Sequence, residues 1–146
     1  MSRMVSLNLT LANGIDVSAR AIIEAFISIN WSPLDANGAI DYLPFGDGGM
    51  HDWEKRMLTI AQLLSVVDAK ERNNEIIGVS LYWNNTDLGV VLLIHDPSTI
   101  SLGIDINRKY LDEKTQTVDF NWYATNILQG LWDKLRIFRY SFEFMM

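Results

Sequence analysis

Near the N-terminus, Val5, Leu7, Leu9 and Leu11 alternate with Ser6, Asn8 and Thr10, the period-two pattern of a strand with one buried face. Asn13-Gly14 then turns the chain, and Asp16 stands where an N-cap is wanted for a helix over 17–29. Ile22, Ile23, Phe26 and Ile29 give that helix its apolar stripe. A second helix is expected to start at His51 or Asp52 and run to about Arg72, with Trp53, Met57, Ile60, Ala61, Leu64 and Val67 on one face. Three strands follow, over 76–83, 88–95 and 100–106, joined by polar turns short enough to demand antiparallel neighbours. The middle one carries the run Val90–Ile94, which has no polar face and predicts a central strand covered on both sides. Steps of three and four through Phe120, Tyr123, Ala124, Ile127, Leu128, Leu131, Trp132 and Leu135 predict a helix over 120–135. The last segment alternates again, with Phe138, Tyr140, Phe142 and Phe144 inward and Arg139, Ser141 and Glu143 outward.

The expected order is β-α-α-β-β-β-α-β. Hairpin strands bracketed by helices predict an α+β fold: a mostly antiparallel sheet of about five strands with three helices packed mainly on one face. A chain of 146 residues suits a single domain over 1–146. The polar positions of the first, fourth and last expected strands leave the other sheet face partly wet. Residues 30 to 50 read as irregular, with a short extended piece at 40–43.

Charge changes the picture at one place. Twelve basic and eighteen acidic residues give a formal charge of −6. A nucleic-acid binder needs a basic stripe that displaces counterions, so this balance argues against one. From Trp31 to Glu54 there is no Lys or Arg, whereas Asp35, Asp41, Asp47, Asp52 and Glu54 all fall there. Elsewhere acids and bases nearly cancel. The longest apolar run is far too short to cross a bilayer, and the N-terminus lacks the continuous apolar block of a signal peptide. With no cysteine in the chain, these features predict a cytoplasmic protein with no membrane partner.

Candidate chemistry is sparse. His51-Asp52 and His95-Asp96 supply imidazoles and carboxylates, the groups of a metal site or an acid–base pair. A zinc site needs three or four converging ligands, and no HExxH spacing is present. Gly46-Asp47-Gly48-Gly49 lacks the Lys of a phosphate loop, and Asp47 would repel a phosphate; a tight turn using positive φ is the better reading. No serine lies in GxSxG. No catalytic, cofactor-binding or metal-ligating residue is therefore assigned, and the chain is not expected to be an enzyme.

The aromatics Trp31, Tyr42, Phe45 and Trp53 are interleaved with the five local acids. Trp53 is expected to pack the start of the second helix and Phe45 to pin the loop. Structureless loops longer than about 12–15 residues are uncommon in a compact domain and are usually functional. Aromatic anchors rimmed by acids have the composition of a protein-binding patch aimed at a basic surface. The expected partner-binding residues are Trp31, Asp35, Asp41, Tyr42, Asp47, Asp52 and Glu54, with Trp31 and Tyr42 as the anchors.

The run Tyr42-Leu43-Pro44-Phe45-Gly46-Asp47, followed by Asp52-Trp53, resembles a segment of small bacterial proteins encoded beside polymorphic toxins. Their relatives include the immunity proteins of contact-dependent growth inhibition systems. The later Asp119-Phe120-Asn121-Trp122-Tyr123 shares in that resemblance. It implies a small acidic cytoplasmic protein without enzymatic activity, which neutralises a cognate toxin domain, commonly a nuclease, by occluding its active site or a nearby surface. The implied partner is a basic toxin domain, steered onto the acidic loop by complementary charge. Two alternatives stay open: a secretion chaperone for an effector protein, and a small metal-dependent hydrolase. No pattern in the chain sets the oligomeric state.

Overall fold

A computed structural model describes residues 4–12, 17–96 and 98–145. In chain order its elements are β1 (Met4–Leu11), α1 (Ala19–Ser28), β2 (Trp31–Ser32), β3 (Ile40–Tyr42), β4 (Glu54–Arg56), α2 (Ile60–Arg72), β5 (Ile77–Trp83), β6 (Gly89–Asp96), β7 (Thr99–Ile106), β8 (Tyr110–Asp112), β9 (Thr117–Val118), α3 (Phe120–Tyr123), α4 (Gln129–Leu135) and β10 (Ile137–Met145). A π-helical turn, Ala124–Leu128, joins α3 to α4 without a break.

The main sheet is antiparallel and runs β10-β1-β7-β6-β5-β3-β4, with β2 also paired to β5. All five strands expected from the hydrophobic pattern are present, and β5, β6 and β7 are adjacent as their short turns require. The fold is α+β, but this sheet has eight strands among the described residues rather than about five. Two of the additional three, β2 and β3, come from the segment expected to be irregular, β3 at its expected extended piece, and β4 comes from the start of the expected second helix. Backbone groups lying against the sheet must find hydrogen-bond partners. Between β7 and the last helical run, where no element was expected, β8 and β9 form a separate hairpin.

One apolar core lies between the sheet and the helices. Val5, Leu7, Leu9 and Leu11 of β1 meet Ile22, Ile23 and Phe26 of α1, Leu63 and Val67 of α2, and Tyr123, Ile127 and Leu131 of the C-terminal helical run. The β6 strand is central, yet only one of its faces is fully covered, since Val91 and Leu93 are half-buried. Gly130 lets α4 approach the end of α1 closely, because a Cβ there would come within 2.8 Å of Ile29.

The helix starts depart from expectation for local reasons. Asp16 and the Asn13-Gly14 turn lie outside the described residues; the Ser18 side chain caps α1 by accepting from the Ala21 N–H at 3.1 Å. The second helix begins at Ile60 rather than at His51 or Asp52. Thr59 and Gln62 form a reciprocal capping box there, which satisfies two orphan N–H donors at once. Upstream, Glu54–Arg56 pairs with Ile40–Tyr42 as β4, so Trp53 and Met57 never join a helical stripe.

The last strand follows the predicted phase from Tyr140 onward but not at Phe138, which was expected inward and is 69% exposed. A bulge opposite Thr10 and Leu11 puts Ile137 on the core face instead, and the predicted coverage also fails. Tyr140, Phe142 and Phe144 sit opposite Leu9, Leu7 and Val5 and therefore share the core face. The helical layer stops short of that edge. Tyr140 stays 49% exposed and Trp132, expected to face inward, is 48% exposed on the flank of α4 that overhangs β10. Their rings meet at 6.4 Å.

Two expectations follow. Leu131 is fully buried, so Leu131→Ala is expected to cost about 2–5 kcal/mol in chemical unfolding; a loss under about 1 kcal/mol would contradict the packing. The α1–α2 contact is tied by Arg20, whose guanidinium donates to Asp68 at 2.6–3.2 Å and holds that carboxyl below the usual carboxylate range. A depressed carboxylate adds stability above its unfolded pKa and loses it as pH falls through the folded value. Wild type should lose more stability than Asp68→Asn between neutrality and about pH 3, by under about 1 kcal/mol because the pair is partly exposed. Superimposable acid arms would contradict this.

Candidate functional site

The residues from Leu43 to Met57 are organised by a lysine. Leu63, Val67 and Lys70 fall on one face of α2, and the phase that buries the first two buries the third. Lys70 is 1% exposed. An ammonium out of water must be compensated by charge and by hydrogen bonds. Its Nζ donates to the Pro44 carbonyl at 2.8 Å and lies 3.6 Å from Asp47 Oδ1 and 3.5 Å from Glu75 Oε1.

Local sequence explains how these groups converge. Asn74 adopts positive φ after α2, the Asn74 N–H donates to the Glu71 carbonyl and the Glu75 N–H to that of Lys70. This Schellman-type reversal returns the Glu75 carboxylate to the helix it has just left. Glu75 Oε1 also accepts from the Gly46 N–H at 2.9 Å. Gly46, Gly48 and Gly49 all have positive φ, so the turn is one that glycine adopts without strain. The Asp47 side chain is only 2% exposed, and its Oδ1 accepts from the Gly49 N–H at 3.2 Å. Further along, Leu43 and Trp53 lie directly on the backbone of β5, where a Cβ at Gly78 would come within 2.9 Å of both.

This arrangement redistributes the expected partner-binding residues. Trp31 is fully buried: its Nε1–H donates to the Asn126 carbonyl at 3.0 Å, and its ring meets Trp83 at 5.3 Å and Trp122 at 6.2 Å. Tyr42 is buried in β3 beside Val79. Neither presents an aromatic surface to a partner, which corrects their assignment as anchors. Asp41 is half-buried and accepts from the Ser80 hydroxyl at 3.3 Å. The N–H groups of Ala39 and Asn37, with Lys55 nearby, hold the Asp35 carboxyl below the usual carboxylate range. Asp47 faces Lys70. Of the five local acids, Asp52 and Glu54 remain exposed.

The exposed apolar groups are different ones. Phe45, Met50, Trp53 and Met57 all stand in solvent on this segment, Met50 at 74%. Phe45 and Trp53 were expected to be packing residues; Trp53 does cover Gly78 yet stays 37% exposed. Lys70 and Glu75 were not singled out from the sequence, although the spacing Leu63-Val67-Lys70 carried the signal.

Several residues of the 42–53 and 119–123 segments are built into the framework. Tyr42 belongs to β3, Leu43 is held against β5 at Gly78, and Pro44 and Asp47 belong to the Lys70 cluster. Asp119 caps α3 through the Trp122 N–H at 3.0 Å, and the buried Tyr123 hydroxyl accepts from the Lys109 N–H at 2.9 Å. Both histidines are exposed, and His95 is hydrogen-bonded to Ser101 at 3.0 Å. Among the described residues no three His, Asp or Glu side chains are grouped to hold a metal, and no helix is long and apolar enough to cross a membrane. In comparisons with protein-family models, curated proteins and solved structures, the chain matches none.

Removing the ammonium leaves carboxylates held in a desolvated pocket. Lys70→Ala is expected to destabilise the domain by about 3–5 kcal/mol in equilibrium unfolding. Adding Asp47→Ala and Glu75→Gln to it should recover part of that loss. A single-variant cost under about 1 kcal/mol would contradict the role given to Lys70.

Proposed function

We propose that this protein acts by binding another protein, as an immunity protein that neutralises a cognate basic toxin domain, and that the 45–57 rim is its contact surface. The observation that carries the reading is the rim itself. Phe45, Met50, Trp53 and Met57 stand exposed on a segment whose backbone is tied to α2 and β5, with Asp52 and Glu54 beside them. Exposed apolar clusters on a soluble domain mark interaction surfaces. A segment already fixed in place loses little conformational entropy on docking, so more of its contact energy appears as affinity. Asp52 and Glu54 are offset on this rim by the equally exposed Lys55 and Arg56, so the basic character of the partner rests on the resemblance and not on the charge of the rim. The toxin as partner rests on the resemblance of the 42–53 and 119–123 segments to immunity proteins.

The secretion-chaperone reading has one observation on its side. An aromatic row beside the open edge of β10 suits an extended segment that adds to a sheet. A chaperone of that kind would hold an unfolded effector segment and give no protection against a folded toxin domain.

The test is to read the adjacent gene and co-express this protein with any toxin-type C-terminal domain it encodes; a neighbourhood without one would count against the immunity reading. Wild type is expected to protect. Met50→Asp and Phe45→Ala, both at exposed positions, are expected to weaken binding by roughly 30-fold together, the scale of one lost hot spot. Asp52→Lys with Glu54→Lys should slow association and flatten its salt dependence. Absence of protection by the wild type would end the immunity reading. Protection with unchanged affinity in the Phe45 and Met50 variants would remove the rim as the contact surface.

A further inference from the structure

The two edges of the main sheet are built in opposite ways. At one end β4 is three residues long, Glu54-Lys55-Arg56, all exposed and all charged. A short charged strand is how proteins keep an open edge from pairing with another chain. At the other end β10 is nine residues long, pairs only with β1 among the described residues, and contains no proline or lysine. Its core-side row is aromatic: Tyr140, Phe142 and Phe144. Next to that row, Trp132 and Tyr140 wall a groove of about 470 Å³ with Ala124, Thr125, Leu128 and Gln129 of the helical run. The π-helical turn lies on the same wall.

We propose that β10 pairs with β10 of a second copy of this chain, joining the two main sheets into one through a two-fold axis at Ser141. Strand register selects this axis. A two-fold perpendicular to a sheet returns each residue to the same face, so a core-side residue must meet a core-side residue and a wet-side residue a wet-side one. Centring an antiparallel pair on Ser141 sets Arg139 opposite Glu143 of the second copy, and Glu143 opposite its Arg139. Both residues lie on the wet face, opposite Thr10 and Ser6 of β1. On the core face the same register sets Tyr140 against Phe142 of the second copy, twice. Moving the centre to Tyr140 or to Phe142 breaks both ion pairs, since Arg139 then faces Ser141 or Met145. Of these registers, only the Ser141-centred one matches opposite charges and aromatic rings together, and such cross-strand pairs are what stabilises one register over another.

The same axis puts both helical layers on one side of the joined sheet. Trp132 and Tyr140 of each protomer are then covered across the axis. Although the whole chain carries −6, the contact strip holds Arg139 and Glu143 and is locally neutral. The dimer goes beyond the toxin-binding reading and does not depend on it. The 45–57 rims lie by β4 and β5, toward the far end of each sheet, so pairing through β10 leaves both uncovered.

Sedimentation of the full chain over roughly 1 to 100 μM protomer tests this. Wild type is expected to pass from monomer to dimer within that range. Arg139→Glu places like charges opposite one another at two symmetry-related positions and should weaken dimerisation roughly tenfold or more. Arg139→Glu combined with Glu143→Arg restores both pairs with the charges exchanged, and should return the dimer. Arg139 and Glu143 are exposed, and unchanged circular dichroism and unfolding midpoints would show that the variants remain folded. A wild type monomeric throughout would overturn the proposal, including the case in which this edge takes a strand from a different protein. A dimer indifferent to Arg139→Glu, or one that the double exchange fails to restore, would overturn it as well. Toxin binding retained by a monomeric Arg139→Glu variant would leave the functional reading untouched.

Discussion

The ammonium of Lys70 is shut away from water in the interior, and everything within reach of it has had to answer that charge. Pro44 turns its carbonyl inward, Asp47 is drawn under the glycine turn, and Glu75 is brought back by the reversal after α2. Glu75 in turn holds Gly46. The cost of desolvating one cation is thus spread over two carboxylates, a carbonyl and an amide, each of which also loses freedom. A 14-residue stretch with three glycines and one proline, from Leu43 to Arg56, becomes part of the framework instead of a hanging loop.

That rigidity decides which surfaces are available. Trp31 and Tyr42 are spent on the core, where the tryptophan cluster ties β2 to the C-terminal helical run. Asp35, Asp41 and Asp47 are spent on turns, on Ser80 and on Lys70. The groups left outward include Phe45, Met50, Asp52, Trp53, Glu54 and Met57 at one end of the sheet, the aromatic strip of β10 at the other, and Leu111 on the β8–β9 hairpin. Mid-sheet, the second face mixes Ser6, Asn8 and Ser101 with Val91 and Leu93, all of them half-buried. The largest exposed apolar groups of the main sheet therefore lie at its two ends.

Periodicity carried the long elements because burial there follows from local spacing. Strand alternation is unmistakable in Val5, Leu7, Leu9 and Leu11, and the three-and-four spacing through Leu131 placed the last helix. It failed where a partner distant in sequence decides. Trp31 looks like any surface aromatic until Asn126, ninety-five residues away, accepts its N–H. Asp47 looks like a solvated acid until Lys70 arrives from α2, itself embedded in Asp68-Ala69-Lys70-Glu71-Arg72, a run that reads as a wet helix face. Glu54–Arg56 has nothing strand-like in its composition and is extended because β3 offers hydrogen bonds. At β10 the alternation was legible, but the width of the helical layer that should cover it was not. Net charge misled in the same way: it counts acids without asking which ones the fold consumes.

Native-state hydrogen exchange at Gly46 tests most directly whether this segment is held by Lys70. Its N–H is bonded to Glu75, and Glu75 is held by the buried ammonium. The account predicts that Gly46 exchanges slowly in the wild type, with protection close to that of Leu43 on the β5 edge, and that Lys70→Ala strips protection from Gly46 well before β5 opens. Exchange of Gly46 at the rate of an unstructured glycine in the wild type, or protection that survives Lys70→Ala, would contradict it.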